Sequence, residues 1–219
     1  MFINCSSEQE WLAQRINYLT ASDAGNYTGY NPYDPNGKLH LWEEKVGLRK
    51  RADIGSKPAV QFGKRAEEHL RALFLLQHPE YTLQYDQYGL YVSDEHPFMA
   101  ATLDGLLLNN ENAQHEILEI KTATVHNSKD LMDWERGRIP LNYWCQILHQ
   151  SECVKWACGI WVVALVRMEW NENEAAFLMH HFDVRDEEFI EDRREITKAA
   201  ADMWQLIKAR KRPFTNIVL

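Results

Sequence analysis

The residue type and spacing of Asp104 and the segment Glu119-Ile120-Lys121 are suited to metal-assisted chemistry. Side chains alternate along a β-strand, so Glu119 and Lys121 should share one face while Ile120 faces the core. If Asp104 lies on the partner strand of a hairpin, its carboxylate joins them. Two such carboxylates favour Mg²⁺ or Mn²⁺, which can lower the pKa of a bound water and neutralise charge on phosphorus. Lys121 would orient or deprotonate that water, or stabilise the developing charge.

The same residues also have a purely structural interpretation. Asp104-Gly105 could form a turn, and Glu119 and Lys121 could be an exposed ion pair on an amphipathic strand. The short motif does not decide between the two interpretations, and its surroundings must do so.

Apolar periodicity predicts the elements that would position these residues. Helices are predicted at residues 7–16, 39–46, 58–78, 141–150 and 186–210, with one more short helix capped by Thr20 or Ser22. Strands are predicted at residues 81–85, 89–92, 99–108, 115–122, 155–167 and 175–182. Their order indicates a mixed α/β fold in which a central sheet packs between helices, and the lack of repeats and linkers favours a single domain over 1–219.

Composition excludes several classes of protein. The 219 residues are 45% hydrophobic, and 32 carboxylates against 24 basic side chains give a net charge of -8, which excludes a histone-like surface. No apolar run is long enough to span a bilayer, so no membrane association is expected. The start has no signal-peptide pattern, and the four cysteines have no CxxC spacing, which favours reduced thiols in the cytoplasm. The nine histidines form no HExxH motif or Cys/His quartet, so zinc is not expected.

Five segments, taken in order, resemble the lambda-exonuclease or YqaJ-type viral recombinases of the PD-(D/E)XK nuclease superfamily. These segments are Arg15 through Asp23, Phe62-Gly63-Lys64-Arg65-Ala66-Glu67, Ala101-Thr102-Leu103-Asp104-Gly105, Leu118-Glu119-Ile120-Lys121-Thr122 and Tyr143-Trp144-Cys145-Gln146-Ile147. The resemblance covers roughly residues 10 to 150 and implies a restriction-endonuclease-like core, with a mixed sheet flanked by helices.

The resemblance implies a role for each matching position in the catalytic site. Asp104 and Glu119 would bind Mg²⁺, two ions per site with Mn²⁺ as a substitute, together with the backbone carbonyl of Ile120. Lys121 would act on the attacking water. Glu67 would add a carboxylate near a second metal or the water, although residue type alone favours an ordinary surface pair with Arg71. Gln146 would help to hold Lys121, the water or the substrate, unless it is a solvated amide.

The resemblance further implies that Arg15, Ser22 and Thr102 bind a 5′-phosphate. Arg15 offers a forked donor, and Ser22 offers a hydroxyl or a helix N-terminus. Thr102 stands where the family more often has Ser. Read without the family, Ser22 is a plain helix cap and Arg15 is one charge on an amphipathic helix.

The function implied is a Mg²⁺-dependent 5′→3′ exonuclease that acts on double-stranded DNA ends, releases 5′-mononucleotides and leaves 3′ overhangs. The family also implies a ring-shaped homotrimer, a single-strand annealing protein as partner, and a phage or prophage origin in a bacterial cytoplasm. Basic residues in the segments Arg49 to Lys57 and Arg136 to Arg138 would contact DNA near the site, and Trp42 is a candidate for separating the strands. Two alternatives stay open: a restriction or junction-resolving endonuclease on the same core, and a DNA-end-binding module without hydrolysis.

Overall fold

The computed structural model describes residues 1–214, except for the side chains of residues 172 and 173. Residues 215–219 of the predicted single domain lie outside the described residues. The helices are α1 (Glu8–Arg15), α2 (Ala24–Thr28), α3 (Gly37–Lys45), α4 (Pro58–Gln77), α5 (Ser128–Glu135), α6 (Leu141–Cys153) and α7 (Glu187–Lys208), with a 3₁₀ turn at Ala21–Asp23. The strands are β1 (Phe2–Asn4), β2 (Leu19–Thr20), β3 (Tyr81–Gln84), β4 (Gly89–Val92), β5 (Met99–Ala101), β6 (Gly105–Asn109), β7 (His115–Val125), β8 (Gly159–Met168) and β9 (Asn171–Asp183).

The described strands form two mixed sheets. The larger has the order β3-β6-β7-β8-β9, in which only the β7 and β8 pair is parallel. The smaller has the order β1-β4-β5-β2, in which β2 runs parallel to β5. Helices cover the large sheet, which gives the predicted mixed α/β architecture.

The predicted strand at 99–108 is wrong as one element, because the chain leaves one sheet and enters the other. Met99–Ala101 belongs to the small sheet, and Gly105–Asn109 belongs to the large one. Gly105 pairs with Leu118 and lies so close to Leu83 that a Cβ would stand 2.3 Å from its Cδ1, which explains the glycine. Asp104 therefore lies at the switch between the sheets, where its side chain is free of the regular pleat.

The two faces of β7 contribute to two different cores. Leu118 and Ile120 pack with Leu70 and Phe74 of α4. Ile117 packs in the larger core, which also includes apolar residues of α6 and α7. The alternation expected along β7 thus sets Glu119 on the α6 side of the sheet, opposite to its apolar neighbours.

Three short elements, β1, β2 and α5, were absent from the prediction. Strand β1 pairs with β4 at the edge of the small sheet. Helix α5 begins after Asn127, whose side chain caps it by accepting from the backbone of Asp130, and it buries Trp134. Among the described residues, no helix combines the length and hydrophobicity that crossing a membrane requires.

Candidate active site

The Glu119 carboxylate is buried, with 2% of its side chain exposed, and three donors converge on it. Gln146 Nε2 donates to Oε1 over 2.6 Å, and Lys121 Nζ donates to the same oxygen. Gln150 Nε2 donates to Oε2 and also lies 3.4 Å from the carbonyl oxygen of Thr102. A buried charge is tolerated when it is paired and hydrogen-bonded in this way, so helix α6 fixes both oxygens of Glu119.

The Asp104 side chain is bound to the backbone beside Glu119. Its Oδ2 accepts from the backbone N–H of Ile120 over 2.7 Å. Burial raises the pKa of Asp104 well above its ordinary value, and the neighbouring Glu119 charge raises it further, against the effects of Lys121 and of the Ile120 hydrogen bond. The two carboxylates are thus close enough to repel each other in a poorly solvated place.

Lys121 lies where β7 faces α6. Its Nζ donates to Glu119 and, over 2.9 Å, to Gln146 Oε1, and it lies 4.8 Å from the centroid of the Tyr143 ring. The ammonium is therefore held by an anion, an amide oxygen and an aromatic face. The exposed ion pair considered above is excluded, since the Lys121 side chain is only 13% exposed.

Glu67 approaches the site from α4. Burial raises the pKa of this carboxylate, Arg71 opposes the rise, and Glu119 adds to it. Arg71 itself donates to the carbonyl oxygen of Asp104 over 3.3 Å and stacks on the Tyr85 ring at 3.9 Å. The surface pair considered in the sequence is thus part of the same cluster, with Arg71 attached to the backbone of Asp104.

These residues suit a hard divalent cation. Asp104, Glu119 and Glu67 form a partly buried group of carboxylates, in which burial chiefly, and the charge of Glu119 in addition, raises the pKa values of Asp104 and Glu67. Oxygen donors of this kind are those that Mg²⁺ and Mn²⁺ select. Asp104, Glu119 and the adjoining backbone of Ile120 would hold the ion, with Glu67 beside it.

A second cluster gathers Arg15, Ser22 and Thr102. Arg15 Nη2 donates to Ser22 Oγ over 2.6 Å and lies 3.2 Å from Thr20 Oγ1. The guanidinium lies 4.3 Å from the centroid of the Trp11 ring, whose Nε1 donates to Thr102 Oγ1 over 2.9 Å. Thr102 precedes Asp104 by two residues, so the switch between the sheets connects the two clusters.

Buried charges hold the turn that carries Ser22. Asp23 accepts from the backbone N–H of Thr20 over 2.9 Å and from its hydroxyl over 2.8 Å. Lys45 Nζ lies 3.4 Å from the same carboxylate and donates to the carbonyl oxygens of Arg15 and Tyr18. Burial alone would raise the pKa of Asp23, but Lys45 and neighbouring guanidinium groups hold it below its ordinary range.

The sequence prediction missed several of these contacts. Gln150 stands four residues after Gln146, which puts both amides on one face of α6 and could have indicated its role. Trp11 and Lys45 carry no such local signal. The prediction for Trp42 is wrong, because its ring is 7% exposed in the core and its Nε1 donates to the carbonyl oxygen of Leu206.

A separate group of ligand-type residues lies away from this site. Ligand atoms of Glu95, His96 and Glu152 lie within 4.8 Å of one another. Lys155 Nζ donates to Glu95 and lies 3.3 Å from Glu152.

Comparisons with known proteins give one family match and several similar structures. The chain matches the YqaJ-like viral recombinase domain over residues 10–154. No curated protein sequence matches it. An alkaline exonuclease (LHK-Exo) from Laribacter hongkongensis has a similar structure, with a TM-score of 0.65 at 19% identity over 93% of this chain and 96% of that one. A structure of the same exonuclease in complex with dAMP gives a TM-score of 0.64, at the same identity and coverage.

Two further structures share the fold at lower identity. A putative exonuclease from Eubacterium rectale has a TM-score of 0.55 at 10% identity, over 99% of this chain and 92% of that one. A SOX–DNA complex has a TM-score of 0.52 at 12% identity, over 89% of this chain and 66% of that one. These likenesses confirm the predicted mixed α/β fold, in which mixed sheets are flanked by helices. Since the family match extends over well more than half of the residues, the chain belongs to the YqaJ-like viral recombinase family.

Proposed function

We propose that this protein is a Mg²⁺-dependent 5′→3′ exonuclease that degrades one strand from a double-stranded DNA end and leaves a 3′ overhang. The observation that carries the proposal is that two clusters of side chains lie at the two ends of one short segment. A carboxylate and ammonium site stands at Asp104, Glu119 and Lys121. A guanidinium backed by an indole lies at the other end of the short Thr102–Asp104 segment. This pairing suits hydrolysis of a phosphodiester next to a terminal phosphate.

Each residue would have a distinct task in the reaction. The bound ion would supply electrophilic stabilisation of the phosphoryl oxygens and a more acidic water. Lys121, held by Glu119 and Gln146, would orient the attacking water and offset charge as it develops on phosphorus. Gln146 would hold the side chains of Lys121 and Glu119 in a fixed position relative to each other. Arg15 and Ser22 would bind the 5′-phosphate and so position the first phosphodiester at the carboxylates.

Digestion of 5′-phosphorylated linear duplex with Mg²⁺ tests the proposal. We expect release of 5′-mononucleotides and a growing 3′ overhang, with loss of activity in Asp104→Ala and Lys121→Ala. A covalently closed circular duplex of the same sequence is the control and should stay intact. Cutting of the circle would indicate an endonuclease, and full activity in both variants would refute the assignment of the site.

The cellular setting is part of the same proposal. Membership of a viral recombinase family supports a phage or prophage origin, action in the cytoplasm of a bacterial host, and cooperation with a single-strand annealing protein. A homotrimeric ring would retain the DNA during successive cleavages. Light scattering of the purified protein tests the trimer, and a monomeric mass would contradict it.

A further inference from the structure

Tyr33 is a highly exposed aromatic residue in the segment between α2 and α3. It is 81% exposed, more than any other tyrosine or tryptophan among the described residues. An aromatic side chain buries about 150–250 Å² when it is packed, and its flat face favours contact with another ring. The ring of Tyr33 is therefore available to pack against a flat apolar ligand.

Hydrogen bonds fix the backbone that carries this ring. The N–H of Tyr33 donates to Asn31 Oδ1 over 2.9 Å, and Asn31 Nδ2 donates to Asn26 Oδ1 over 2.6 Å. The N–H of Asn31 donates to the carbonyl oxygen of Gly25 over 2.9 Å, so the segment folds back onto the start of α2. A tyrosine on a fixed backbone loses little conformational entropy on binding, because only its two side-chain torsions remain to be restricted.

The same segment packs against the first turn of α6. A Cβ at Gly25 would stand 3.3 Å from Asn142 Cβ and 3.6 Å from Asn31 Cα, so α2, α6 and the segment meet at this glycine. Tyr143 follows Asn142 in α6. Tyr33 lies near enough to the Tyr143 hydroxyl to add to the effect of burial, which is the main cause of the raised pKa of Tyr143. Tyr33 therefore stands beside Tyr143 at the start of α6.

Tyr33 thus borders both clusters of the proposed site. The Lys121 ammonium lies 4.8 Å from the centroid of the Tyr143 ring, on which Tyr33 closes from outside. Gly25, onto which the segment folds, follows Ser22 by three residues. With a 5′-phosphate at Ser22 and the scissile phosphodiester at Lys121, one nucleotide lies between the two clusters. Its base is the flat apolar group that the ring of Tyr33 would meet.

We propose that Tyr33 stacks on the base of the 5′-terminal nucleotide and holds that nucleotide while its phosphodiester is cleaved. This inference rests on the proposed exonuclease function. Every base has a π face, so a stacking residue accepts all four bases, as digestion of DNA of any sequence requires. The contact is made to the base and adds to the binding of the phosphates.

The test compares two 5′-phosphorylated duplexes that differ only at the 5′-terminal nucleotide, which is either intact or abasic. Fluorescence anisotropy without divalent metal would measure the affinity for each. Wild type should bind the intact end about 5- to 100-fold more tightly than the abasic end. Tyr33→Ala should bind both ends with the affinity that wild type has for the abasic end. Tyr33→Phe should keep the preference, since a phenyl ring also stacks, and Tyr33→Leu should lose it.

Trp156→Ala is the matched control. Trp156 is 55% exposed, and its ring contacts that of His115 at a centroid distance of 5.0 Å. His115 begins β7 six residues before Lys121, so this exposed aromatic residue lies toward the other end of the strand. Trp156→Ala should keep the full preference for the intact end.

The outcomes separate this inference from the function on which it rests. A preference that persists in Tyr33→Ala, or that is lost in Tyr33→Phe or Trp156→Ala, overturns the role of Tyr33. Equal binding of the two ends by wild type also overturns it, while digestion of the intact duplex with Mg²⁺ would still support the exonuclease. If wild type digests no 5′-phosphorylated linear duplex with Mg²⁺, the proposed function fails, and this inference fails with it.

Discussion

Replacement of Gln150 by Leu tests whether α6 fixes the geometry of Glu119. The change keeps the volume and the apolar stem but removes the donor to Glu119 Oε2 and the contact with the Thr102 carbonyl. Glu119 is 2% exposed, so water cannot replace the lost donor without rearrangement. Loss of a hydrogen bond to a buried charged group costs about 1.5–3 kcal/mol. At about 2.1 cal/mol/K per residue, the melting temperature should fall by about 3–7 °C.

Catalysis should fall as well, because Glu119 is a proposed metal ligand. Loss of a group that orients a ligand typically lowers metal affinity or activity by about 10- to 100-fold. Thermal unfolding with increasing Mg²⁺, and the rate of mononucleotide release, would measure the two effects. Ser151→Ala is the matched control, since Ser151 is buried on the same helix but donates to the carbonyl of Leu148. A Gln150→Leu protein as stable and as active as wild type would refute this reasoning.

Two further substitutions probe the buried charges. Asp104→Asn removes the charge that Glu119 repels, and the raised pKa of Asp104 means that its contribution to stability is lost as pH rises through that pKa. Without metal, the melting temperature of Asp104→Asn should therefore exceed that of wild type, and the difference should grow as the pH rises. A difference that stays constant with pH would contradict an electrostatic cause. Asp23→Asn leaves Lys45 buried without its partner, which should cost about 3–5 kcal/mol, or about 7–11 °C in melting temperature. Because the pKa of Asp23 is lowered, the difference in melting temperature between Asp23→Asn and wild type should narrow as the pH falls through that pKa in strong acid. A melting temperature equal to that of wild type at neutral pH would refute the role of Asp23.

Local patterns predicted the elements that carry the proposed site. The 20-residue helix α4 has apolar residues that recur at helical spacing along much of its length, and a proline in its first turn. The alternation of side chains along β7 places Glu119 and Lys121 on one face of the strand. By contrast, β1 has three residues, too few for a period, and α5 has only a few apolar residues after its Asn127 cap. Short elements like these depend on their tertiary partners for stability.

Sequence patterns did not predict contacts between segments that are distant in the chain. Residues 99–108 divide between two sheets at a point where Ile120 donates a hydrogen bond to Asp104 and Gly105 closely approaches Leu83, and both of these partners are far away in the chain. The ion pair between Arg51 and Asp23 joins residues that are 28 positions apart in the chain. Residue type alone did not distinguish these residues from other residues expected at the surface.

Mg²⁺ binding measured by thermal shift tests the central claim most directly. If the carboxylates of Asp104 and Glu119 share an ion, Mg²⁺ at 100 times its dissociation constant should stabilise wild type by about 2.7 kcal/mol, or about 6 °C. Asp104→Asn and Glu119→Gln should abolish the shift, while Glu95→Gln, in the separate acidic cluster, should keep it. A shift that survives in Asp104→Asn and Glu119→Gln, or one that disappears in Glu95→Gln, would contradict the account.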